Sequence, residues 1–82
     1  METRVFQFDQ RKLVSDGKEI YKRIREELEP EHKGEIVAIE TESGDYFLGK
    51  TVAEAGEKAK QKHPHKVFYF VKVGFPAVHI RR

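Results

Sequence analysis

The sequence predicts an α+β domain of αββαββ order, in which a four-stranded antiparallel sheet of spatial order 2-1-3-4 carries two helices packed on one face. Three observations predict it. Apolar residues recur at three- and four-residue steps from Leu13 to Leu28. Two short apolar runs flank the turn-forming stretch Ser43-Gly44-Asp45, and a third run, Val67 to Val73, is rich in aromatic and β-branched residues.

The elements follow in chain order. Residues 1–8 hold Val5, Phe6 and Phe8 in partial alternation, which suits an edge strand or an arm packed on the core, and equally a frayed tail. Asp9 is placed as an N-cap, with Phe8 and Leu13 spaced as a hydrophobic staple. A rival start lies at Asp16-Gly17-Lys18-Glu19, which has the capping-box spacing. The stripe Leu13, Gly17, Ile20, Tyr21, Ile24, Leu28 decides for the longer helix, about residues 10–28, although a glycine inside a helix costs about 1 kcal/mol against alanine. Pro30 and Gly34 are expected to close it.

Ile36-Val37-Ala38-Ile39 is apolar without alternation, as in a central strand covered on both faces. Tyr46-Phe47-Leu48, ended by Gly49, makes a hairpin with it. Thr51-Val52-Ala53-Glu54 matches the capping box and opens a second helix, about residues 52–62, whose inward face Val52, Ala55, Gly56 and Ala59 is small enough for close approach to a sheet. His63-Pro64 stops it. Val67 to Val73 is the third strand, with Phe68 and Phe70 on one face and Val67, Tyr69, Val71 and Val73 on the other. Gly74-Phe75-Pro76 is read as a turn and Ala77 to Ile80 as a short edge strand.

Composition bounds the function. A chain of 82 residues, 38% hydrophobic and 37% charged, has room for one domain and one core. Without cysteine, disulfides, thiol catalysis and thiolate zinc sites are excluded. The amino terminus shows no apolar stretch of signal length, and no segment reaches the roughly 18 apolar residues of a membrane span, so a cytoplasmic protein is expected. The net charge of +2 conceals a division: 9 basic and 14 acidic residues up to Glu57, then seven basic residues and no acidic one.

Candidate chemistry is sparse. His32, His63, His65 and His79 lack the spacing of a zinc signature, so no metal is expected. Ser15 and Ser43 sit in no nucleophile elbow. Glu40 and Glu42 share a strand face at period two, a geometry open to acid–base work, but a solvated strand end accounts for them. The glycines form no phosphate-cradling loop. The expectation is a protein that is not an enzyme and needs no cofactor.

Two helices on one face leave the other side of strands one and three apolar and open. Exposed apolar surface of that extent marks an interface, so a protein partner is expected, with a homodimer favoured over burial by residues 1–8. The expected contact residues are the aromatics Tyr46, Phe68, Phe70 and Phe75. The alternative is nucleic-acid binding through a C-terminal basic face of Lys58, Lys60, Lys62, Lys66, Arg81 and Arg82.

A resemblance adds to this reading. Lys33-Gly34-Glu35-Ile36-Val37-Ala38-Ile39-Glu40, Ser43-Gly44-Asp45-Tyr46-Phe47-Leu48-Gly49, Glu54-Ala55, His63-Pro64 and Val71-Lys72-Val73-Gly74-Phe75-Pro76 resemble, over roughly residues 13–80, a family of small uncharacterised prokaryotic proteins. The family looks like partners encoded beside retropepsin-like aspartyl-protease proteins, in an arrangement similar to a toxin–antitoxin pair. That resemblance implies a protein-binding role and carries over no catalytic residue. The hairpin followed by Gly49-Lys50-Thr51 and Glu54-Ala55 is also similar to HicB-type antitoxins, whose partial ribonuclease-H-like fold runs strands, helix, strand. The helix ahead of the hairpin departs from that pattern.

Overall fold

A computed structural model describes residues 10–79, with side chains described over 11–75. The readings that place an arm at residues 1–8, a staple and cap at Phe8 and Asp9, and basic contacts at Arg81 and Arg82 lie outside the described residues.

The protein is α+β. Helix α1 spans Gln10–His32, strands β1 and β2 span Ile36–Ile39 and Tyr46–Gly49, helix α2 spans Val52–Lys62, and strands β3 and β4 span Tyr69–Lys72 and Phe75–His79. Strand β1 lies between β2 and β3 and is antiparallel to both, with Val37 opposite Leu48 on one side and Val71 on the other. This is the arrangement expected of the first three strands. Strand β4 runs along the outer side of β3, giving the order β2-β1-β3-β4, with a register shift between Val71 and Lys72.

Three boundaries differ from expectation. Helix α1 continues past Leu28 and takes in Pro30. Pro30 is exposed in the final turn, and as a proline it forgoes the hydrogen bond to the carbonyl four residues back. The stop is Gly34, whose φ of 93° is open to glycine at little cost, and its N–H donates to the Val73 carbonyl at 2.8 Å. Val67 and Phe68 precede the β3 ladder, and the β3–β4 turn is Val73-Gly74, so Phe75 and Pro76 belong to β4.

The largest correction concerns the helices: they lie on opposite faces of the sheet. Leu13, Tyr21 and Leu28 of α1 pack with Val37, Ile39, Tyr69, Val71 and Val73. Ala55 and Ala59 of α2 pack with Ala38 and Phe68, joined by the half-buried Ile36, Phe47 and Phe70. The strand alternation is as the sequence implies, with Tyr69 and Phe70 facing opposite ways. The β2–α2–β3 crossover passes over β1 and fixes the side of α2 by its handedness. Helix α1 is free of that rule and goes to the other side, because β1 and β3 are apolar there too. The second face that seemed to need a partner is therefore covered within the chain.

Close packing explains the composition of both helices. Gly17 is buried against the Tyr69 ring, and Ala55 and Ala59 are fully buried. Thr51 caps α2 by accepting from the Glu54 N–H at 3.0 Å, while the Glu54 carboxylate accepts from the Lys50 N–H.

Candidate interaction surface

The β1–β2 turn is built around Glu40, which is only 2% exposed. Its carboxylate accepts from the Ser43 N–H at 2.9 Å and the Glu42 N–H at 3.2 Å, and its backbone carbonyl accepts from the Gly44 N–H at 2.8 Å. Burial alone would raise the Glu40 pKa. Hydrogen bonds from the Ser43 hydroxyl and from the Ser43 and Glu42 N–H groups, with His63 nearby, overcome that and hold it below the usual carboxylate range. Glu42 instead is exposed and pairs with Lys66. The two carboxylates that the sequence places on one strand face are thus separated by the turn, one holding the loop and the other in solvent.

Glu40 gives a clear expectation. A depressed carboxyl contributes stability that is present above its unfolded pKa of about 4.3 and lost as pH falls through the folded value. Glu40→Gln should cost about 1–2 kcal/mol at neutral pH, measured by urea denaturation. The gap to the wild-type chain should narrow as the pH falls below about 4.

Asp45 ties this turn to the end of α2. Its carboxylate meets His63 Nε2 at 2.9 Å and Lys62 Nζ at 3.7 Å, and the His63 hydrogen bond, against slight burial and with help from Lys62, lowers its pKa. The His63 ring stands edge-on to Phe47, 6.1 Å between centroids. No short motif announces this contact, because Asp45 and His63 are 18 residues apart. Among the described residues, no group of three or more His, Asp or Glu side chains is placed to hold a metal.

The lysines of the proposed basic face divide. Lys62 and Lys66 reach Asp45 and Glu42, and Lys58 Nζ donates to the Leu48 carbonyl at 2.8 Å. The bond from Glu40 N–H to the Asp45 carbonyl sets the hairpin alternation, which turns the backbone groups of Tyr46 and Leu48 outward. Lys58 therefore covers an edge carbonyl of β2, a guard against strand addition. Lys60 is exposed, with no such anchor among the described residues.

The four aromatics named from the sequence do not form one patch. Phe68 is buried under α2 and Phe70 half-buried beside it, their rings edge to face at 6.5 Å. Both are core, which corrects their reading as exposed contacts. Tyr46 and Phe75 remain, 36% and 48% exposed, on the two opposite outer strands.

Phe75 has a distinctive setting. Lys72 Nζ lies 5.4 Å and Lys33 Nζ 5.6 Å from its ring centroid, both within cation–π range. Lys33 arrives from the turn after α1, its stem lying over Gly74, whose φ of 83° makes the β3–β4 turn. The result is an exposed ring flanked by two ammonium groups. The spacing of Lys72 and Phe75 is visible in the sequence, but the approach of Lys33 depends on tertiary packing.

The fold and this surface define a small α+β domain with a sheet held between two helices and an aromatic, basic corner at one edge. No family model, curated protein or solved structure matches the chain. No described helix is long and apolar enough to cross a membrane.

Proposed function

We propose that the chain is a non-catalytic protein-interaction module, an antitoxin-like or regulatory partner of another protein, and that it meets an acidic surface of that partner with Phe75, Lys33 and Lys72. The observation that carries this reading is the half-exposed Phe75 ring between two lysines. Aromatic residues are enriched at protein interfaces, where a ring buries area at low entropic cost, and flanking charges steer and select the partner. The argument for a homodimer rested on one sheet face lying open; α1 and α2 cover one face each, so a partner of different sequence is the better reading.

Comparative co-purification from the source cell tests it. The intact chain should retain a partner that Phe75→Ala and the double substitution Lys33→Glu/Lys72→Glu both lose, while Lys60→Glu keeps it. Equal retention by all variants would contradict the surface assignment. The nucleic-acid reading draws less support, because Lys58, Lys62 and Lys66 are engaged with the hairpin. Strong oligonucleotide binding that falls steeply with salt would restore it.

A further inference from the structure

A groove of about 500 Å³ opens between α1 and β3, and none of the three residues of the Phe75 corner lines it. Its walls include Tyr21, Tyr69 and Val71, and its rim Ser15, Lys18, Glu19 and Lys22. The volume falls within the range of small-molecule sites, and an apolar floor with a few polar groups is their usual chemistry.

Two features of the groove are otherwise unexplained. Tyr69 is 1% exposed, yet its hydroxyl has no hydrogen-bond partner among the described residues, and burial alone raises its pKa. The other buried tyrosine shows the ordinary arrangement: the Tyr21 hydroxyl donates to Glu29 at 3.2 Å and accepts from the Gly74 N–H at 3.0 Å. Buried hydroxyls are normally paired, so Tyr69 marks a place where a polar atom is wanted. Second, Lys18 and Lys22 stand one helical turn apart on the rim, and neither has an ion pair among the described residues. Like charges at that spacing oppose each other, and an anion between them removes the opposition.

We propose that this groove binds an amphipathic monocarboxylate. The aliphatic or aromatic body lies on Val71 and the two tyrosine rings, and the carboxylate sits at Lys18 and Lys22 within reach of the Tyr69 or Ser15 hydroxyl. Among the described lining residues, two ammoniums against the single Glu19 carboxylate leave one net positive charge, which fits a monoanion.

Titration of the full-length chain with sodium octanoate, followed by amide NMR shifts, tests this, with octylammonium and 1-octanol as controls of equal chain length. Octanoate should shift Ser15, Lys18, Lys22, Tyr69 and Val71 saturably, and Lys18→Gln/Lys22→Gln should weaken it by about tenfold or more. Tyr69→Phe should melt no lower than wild type, since it removes an unpaired hydroxyl, and should weaken octanoate binding severalfold. The proposal is overturned if octylammonium binds as well as octanoate, if Tyr69→Phe leaves octanoate affinity unchanged, or if the groove shows no saturation up to about 10 mM.

Discussion

Gly17→Ala is expected to destabilise the protein by more than about 2 kcal/mol, against the direction that helix propensity alone dictates. In an exposed helix interior the same change gains about 1 kcal/mol. Here a methyl group at position 17 would stand 2.3 Å from both Cγ and Cδ2 of Tyr69. Those atoms are the root of a ring that is 1% exposed, so the ring cannot swing clear without displacing β3 or lifting α1. Urea denaturation at neutral pH gives the measurement. In a Tyr69→Val background the same substitution should cost much less, and the double-mutant cycle should show a coupling of about 1–3 kcal/mol. A Gly17→Ala protein more stable than wild type would mean that α1 does not rest on Tyr69.

Phe68→Ala is expected to cost about 3–5 kcal/mol, the range for emptying a buried aromatic site. The loss is a large part of the 5–15 kcal/mol available to a domain. Phe68 is 6% exposed and packs with Ala38, Ala55 and Ala59, small residues that cannot grow into the vacated space. Phe75→Ala, at an exposed position, should stay within about 0.5 kcal/mol. At about 4–8 °C per kcal/mol for a chain of this size, thermal melts separate the two without ambiguity. Similar losses for both would put Phe68 and Phe75 in equivalent environments and remove the distinction between core and contact surface.

Much of the fold was legible because it is local. The stripe from Leu13 to Leu28, the turn at Ser43-Gly44-Asp45, the Thr51 cap and the alternation of β3 each lie within a few residues of chain. The pairing of β1 with β2 and β3 follows from strand direction and the crossover rule. The side taken by α1 does not. No handedness rule binds a helix that precedes the first strand, and an apolar stripe fits either face of a sheet that is apolar on both. The sequence did show that both faces of β1 and β3 need cover, and the error lay in assigning that cover to a second molecule.

The candidate surface was less legible for the same reason. Phe68, Phe70 and Phe75 look alike in sequence, and only the position of α2 makes the first two core. Phe75 stays outside because it begins β4 after the Val73-Gly74 turn, whereas the sequence put it within the turn. Lys33 meets its ring from 42 positions away in the chain, a contact no short motif encodes. Lys58, Lys62 and Lys66 read as a free basic face because Asp45, Glu42 and the Leu48 carbonyl come to them only when the hairpin packs on α2.

The most direct measurement is the reactivity of single cysteines, which the chain's native lack of cysteine makes clean. Phe68→Cys and Phe75→Cys are labelled with a thiol reagent under native conditions, with circular dichroism confirming that each is folded. A thiol at position 75 should react at the rate of an unstructured peptide, and one at position 68 about a hundredfold or more slowly, since it must wait for opening. Equal, fast labelling of both in folded protein would show the Phe68 face open to solvent and contradict a sheet closed between its own two helices.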